Sequence, residues 1–191
     1  LTYGNPDSYA TNLVTGLDWR HSNTDWFPGM FSWNTWAVRS DDEESGDIGG
    51  AAGARAELRL SDWEISSSAV AAMGRFHPGL GYVRRTSQGQ WKGSVRWEPR
   101  PSSGDIRKFT FSLNPSIWMD SDWRVMSHAL RLDLLAIEWH DGTEFEFQAE
   151  IAGDRITSVD FAPGGVAVAE GWHDWAGGQI SWETPLASEF A

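Results

Sequence analysis

The chain has no cysteine. That excludes a disulfide framework and thiolate chemistry, and it leaves every redox compartment open. It also has no apolar run of the roughly 18 residues that a membrane-spanning helix needs. No basic segment followed by an apolar stretch opens the chain. The first residue is Leu1, which reads as a processed product or as a piece of a longer protein. Basic residues are scarce: 15 Lys and Arg stand against 27 Asp and Glu, for a net charge of −12. That balance argues against a nucleic-acid partner, whose phosphates demand a basic face, and against simple electrostatic docking on anionic lipid.

Catalytic patterns are missing too. There is no G-x-S-x-G elbow. The five histidines, His21, His77, His128, His140 and His173, show no metal-ligand spacing such as H-x-x-x-H. The order Trp-His-Asp occurs at 139–141 and again at 172–174, and both read as turn chemistry. Residues 41–47 hold five carboxylates in seven positions. Four of them are consecutive, whereas calcium ligands alternate along a loop, so this stretch reads as a solvated hairpin tip. No catalytic residue, cofactor or metal ligand is assigned.

Tryptophan is what the chain has in excess: 13, against only 3 tyrosines. Trp concentrates in cores, in interfaces and at membrane–water boundaries, and 13 exceed what one thin core can use. Trp26, Trp33, Trp36, Trp118, Trp123, Trp172 and Trp175 are the candidates for contact with a partner. A stacking platform for sugars, built from Trp33, Trp36, Trp63, Trp91 and Trp97, is the competing use. A sugar site would pair Trp with Asp, Asn and Arg in a concave groove, whereas a partner surface would spread Trp over a broad patch.

The pattern along the chain is that of strands. Period-2 alternation marks 11–20, 30–39, 51–60, 62–73, 90–99, 106–118, 123–139, 143–151, 155–161 and 171–183. Residues 1–10 read as an extended arm. In 143–151, Phe145, Phe147, Ala149 and Ile151 alternate with Glu144, Glu146, Gln148 and Glu150. Turns are expected at 21–29, at 100–105, at the Asp141-Gly142 pair, and at Gly153-Asp154. A bulge is expected near Leu134-Leu135, where the period slips. The sum is a single all-β domain over 1–191, an antiparallel up-and-down meander of about ten strands forming a curled sheet or partial barrel. Its pivot is Phe76-His77-Pro78-Gly79-Leu80-Gly81-Tyr82-Val83-Arg84-Arg85. Pro78, Gly79 and Gly81 fix a corner there, and Arg84 and Arg85 are expected to pair with acids of neighbouring strands.

That corner resembles the F-N-P-x-x-G-F-V-R-R hallmark of the DUF5916 family of bacterial envelope proteins. Asn12-Leu13-Val14-Thr15-Gly16-Leu17-Asp18 is similar to that family's N-Y-V-T-G-L-D strand. The run from Phe161 to Val168, followed by Gly171-Trp172, is similar to its later Pro-Gly turn. The resemblance implies the later part of an outer-membrane-like β-barrel, without the carbohydrate-binding β-sandwich that precedes it in longer members. It transfers no catalytic residue. A half-barrel leaves unpaired edges that lipid cannot satisfy, and the opposition of Arg55, Glu57 and Arg59 to small alanines reads as too mixed for a lipid-facing band.

The expectation is therefore a non-enzymatic accessory subunit, periplasmic or in the cell envelope and peripheral to a membrane. It would dock by a Trp-rich surface onto the subunits of a larger membrane protein complex, one candidate being a photosynthetic reaction-centre/light-harvesting complex. The alternatives are a glycan-binding envelope module and a fragment of an outer-membrane barrel.

Overall fold

A computed structural model of the chain describes residues 2–4, 11–26, 28–42, 46–74, 76, 89–157 and 168–185. These residues form one ten-stranded sheet in strict sequence order. The strands are β1 (Thr2–Gly4), β2 (Thr11–Asn23), β3 (Met30–Asp42), β4 (Asp47–Arg59), β5 (Trp63–Gly74), β6 (Gly89–Trp97), β7 (Ile106–Met119), β8 (Val125–Trp139), β9 (Glu144–Ile156) and β10 (Gly171–Glu183). Every pairing is antiparallel, and there is no helix among the described residues. The expected meander is what forms. It does not close: β10 pairs only with β9, and β1 only with β2.

Each strand touches only its neighbours in sequence. Among the described residues no second layer covers either face, so little of the sheet is buried. The buried apolar side chains among the described residues are Ala51, Phe76 and Ala152, joined by Ser40 and Thr110. Large apolar groups stand in the open instead, led by Leu17 at 83 %, Ile180 at 69 % and Trp19 at 64 % exposure. A soluble domain would bury such groups against a second sheet or a helix layer.

Several strands run further than the periodicity suggests. β2 continues through His21–Asn23, because Phe31, Ser32 and Trp33 of β3 extend the ladder opposite them. β3 and β4 pair as far as Asp42 and Asp47, which shortens the acidic tip. The turn expected at Gly153-Asp154 is absent, and β9 passes straight through it to Ile156. Gly153 serves room rather than bending: a Cβ there would meet the Asp174 carboxylate and lie 2.7 Å from the His128 ring. For the same reason the second Trp-His-Asp is not a turn, since Trp172–Asp174 opens β10. The first does turn. Gly142 has φ +86°, and its N–H donates to Trp139 O at 3.1 Å. The bulge near Leu134 is present, as the register with β9 shifts between Asp133 and Leu135. The strand expected at 155–161 ends at Ile156; 158–161 lie outside the described residues, as do Pro78, Gly79, Gly81, Arg84 and Arg85 of the corner.

Candidate functional site

Registered antiparallel partners point to the same side of a sheet. The pairings can therefore be followed from strand to strand, and they sort the side chains into two faces. One face carries Leu13, Leu17 and Trp19 of β2, then Phe31, Trp33 and Ala37 of β3. It continues with Ala52, Ala54 and Leu58 of β4, and with Trp63, Ile65 and Ala69 of β5. Trp91, Val95 and Trp97 of β6 follow, with Phe111, Leu113 and Ile117 of β7, and Leu130, Leu132 and Ile137 of β8. Phe145, Phe147 and Ile151 of β9, and Trp182 and Ile180 of β10, complete it. Arg39, Asp41, Arg155 and Asp174 are the charged groups on this face, and each lies within four residues of a strand end. The bulge between Ile106 and Lys108 leaves Arg107 bonded to Glu138, on the other side.

Arg55, Glu57 and Arg59 thus share no face with Ala52, Ala54 and Ala56 of β4, though the small Ala51 lies on theirs. Alternation puts them on the polar side, and the band that looked mixed in the linear sequence is sorted by the pleat.

Aromatic rings cross the apolar face at the end bearing the tight hairpins. Trp19 and Trp33 lie 5.7 Å apart, Trp63 and Trp97 5.6 Å, and Trp97 and Phe111 5.3 Å, centroid to centroid. Trp182 then meets Trp139 at 5.4 Å and Phe145 at 6.1 Å. The opposite end holds Trp91, whose indole N–H donates to Ser67 at 3.0 Å, and Trp172, which packs on His128 at 5.4 Å. Trp123 is there too, in the β7–β8 turn with φ +61°. Its ring fills the space that a side chain at Gly89 would need. Between the ends the face is mainly aliphatic, with Thr35, Ser67 and Phe147 on it, and over β2 to β5 the far end carries Leu13, Ile48 and Met73 rather than rings.

The other face is mainly polar, interrupted by Val38, Val70, Trp36, Trp118 and Trp175. A chain of hydrogen bonds crosses three strands: Ser94 donates to Asn114 at 2.7 Å, Asn114 to Ser112 at 2.8 Å, and Ser112 to Asp133. Ion pairs accompany it, with Arg131–Glu150 at 3.0 Å, Arg55–Glu57 at 3.0 Å, Arg96–Glu98 at 2.9 Å and Lys108–Glu138 at 3.1 Å. Such exposed pairs are worth about 0–1 kcal/mol each, so they solvate this face more than they stabilise it. Hollows of about 580 and 350 Å³ open on this side. No group of three or more His, Asp or Glu able to hold a metal occurs among the described residues.

The contact candidates do not gather into one patch. Trp33 and Trp172 lie on the apolar face, Trp26 and Trp123 in turns, and Trp36, Trp118 and Trp175 on the polar face. The sugar platform divides likewise, since Trp36 lies opposite to Trp33, Trp63, Trp91 and Trp97 and packs over Gly53. What the linear sequence hid is the belt, because its members come from eight strands and meet only through the register.

No family model, curated protein or solved structure matches the chain.

Proposed function

We propose that this chain forms part of the wall of a transmembrane β-barrel, with its apolar face against lipid and its polar face lining an aqueous interior. The observation that carries the reading is the apolar face itself: continuous over nine long strands, uncharged between its ends, and bordered by aromatic rings. Membrane barrels present an apolar band about 25 Å tall between aromatic girdles, with polar groups alternating inward. Strand length fits. Thirteen residues span about 44 Å, which projects to about 30 Å at a tilt of about 45°. That is the thickness of the hydrocarbon layer.

Water is a poor surrounding for this face. Covering a single exposed Leu, Ile or Phe is worth about 1.5–3 kcal/mol, and many such groups stand open here. The accessory-subunit reading covers the same face with protein instead of lipid. Strand length and the paired belts favour lipid, because a protein partner imposes neither. An envelope location accompanies the reading, and it requires no catalytic step. The unpaired edges of β10 and β2 must be met by further strands, which a second copy of the chain can supply in the vesicle, since lipid satisfies no backbone group.

The test is refolding from urea with and without phosphatidylcholine vesicles. The reading expects β-sheet circular dichroism and flotation with the vesicles only when lipid is present. A well-folded monomer in plain buffer would sink it.

A further inference from the structure

Of the tryptophans on the polar face, Trp36 and Trp118 are half-buried, while Trp175 stands 47 % exposed. It sits in β10 opposite Ala152, beside a hollow of about 350 Å³ bounded by Arg131, Gln148, Glu150 and Gly177. Arg131, Gln148 and Glu150 also bound the larger hollow of about 580 Å³. The two adjoin along this shared wall, and the trough they make together reaches across β4 to β10. Small hydroxylated side chains line its far part, among them Ser66, Ser68 and Ser94. At about 4.8 Å per strand, six steps make it about 29 Å long.

Gly177 is informative. It has neither a left-handed φ nor a close neighbour: a Cβ placed there meets nothing within 4 Å. Neither backbone nor packing therefore demands glycine. Its effect is to leave the flank of the Trp175 ring bare.

The chemistry of the trough narrows the ligand. An apolar ligand would find one ring, Pro115 and two alanines among mostly polar groups. An anion would face Glu150 and Asp133, and a cation would face Arg131, Arg55 and Lys92. A neutral polyhydroxylated chain meets neither repulsion. The apolar C–H face of a pyranose can lie on the open indole. Its hydroxyls can use the planar groups of Arg131, Glu150 and Gln148: the Arg131 Nε and Nη2 bonds to Glu150 at 3.2 and 3.0 Å orient the first two, and the Gln148 amide donates to Glu146 at 2.6 Å.

We propose that this trough binds a neutral oligosaccharide, with Trp175 as the stacking platform and the Arg131–Glu150 pair holding its hydroxyls. The site needs only that the polar face meets water, so it stands apart from what covers the apolar face.

Isothermal titration of the full chain, folded in detergent micelles, tests it. The probes are maltohexaose, cellohexaose and an acidic oligogalacturonate. The expected result is saturable binding of at least one neutral probe and weaker binding of the acidic one. Trp175→Ala should weaken binding about tenfold or more, with Trp175→Phe retaining most of it. Gly177→Leu fills the hollow from a position with free space, so it should abolish binding while the melting curve stays in place. Absence of saturable binding for both neutral probes at millimolar concentration overturns the proposal. So does preference for the acidic probe, or unchanged affinity in a folded Trp175→Ala chain.

Discussion

Trp63 and Trp97 stack across β5 and β6, their ring centroids 5.6 Å apart and their planes 19° from parallel. They are registered partners at the hairpin end of the sheet, and Phe111 extends the stack onto β7. Aromatic pairs of this kind are worth about 0.5–1.5 kcal/mol beyond the area they cover. A double-mutant cycle on Trp63→Ala and Trp97→Ala should return a coupling in that range. Denaturant titration of the lipid-folded chain measures it; additive single effects would mean that the rings are neighbours without interaction.

The two faces should respond oppositely to charge. Ala69 lies on the apolar face of β5, and Ser68, one residue earlier, on the polar face. Ala69→Arg should cost about 2–4 kcal/mol of folding free energy in a bilayer, as charge does near the midplane of a barrel wall. Ser68→Arg should cost much less. Equal costs would mean that the pleat does not separate lipid from water.

Two glycines of neighbouring strands should also differ. Gly153→Val forces a side chain into the space held by Asp174 and His128, and overpacking of this kind costs about 1–3 kcal/mol. Gly177→Ala, with no atom within 4 Å of the added carbon, should be neutral or slightly stabilising, because alanine loses less backbone freedom on folding. Thermal melts of the two variants compare them directly.

The β8–β9 turn should show a pH signature. The backbone N–H of Thr143 donates to Asp141 at 2.9 Å, and this bond, with the Thr143 side chain, holds the Asp141 carboxyl below its usual range. A depressed folded pKa means that the contribution is present above the unfolded value of about 4 and is lost as pH falls through the lower folded value. A carbon-13 titration of the Asp141 carboxyl should give a midpoint below that value. Thr143→Ala should raise the midpoint only partly, because the backbone donor survives.

Period-2 alternation made the meander legible, and with it the β10 limits at Gly171 and Glu183 and the bulge near Leu134. These follow from local chemistry. The extensions of β2, β3 and β9 were not legible, because polar residues such as His21, Ser22 and Asp154 are held in strands by their partners rather than by their own preference. Gly153 read as a turn because a glycine's purpose depends on which side chains crowd it. The belts were illegible for a stronger reason: Trp19, Trp63, Trp97 and Trp182 lie far apart in the chain, and only the register aligns them. Trp175 was visible as a contact candidate, but its separation from the other tryptophans comes from the face it occupies.

The most direct test of the lipid-facing account uses the absence of cysteine, which lets single cysteines be placed without background. The positions are 65 to 70 of β5, labelled one at a time in the vesicle-inserted chain with a charged, water-soluble thiol reagent. The account predicts alternation: cysteines at Ser66, Ser68 and Val70 react, and those at Ile65, Ser67 and Ala69 are protected. Uniform reaction at all six positions would contradict it.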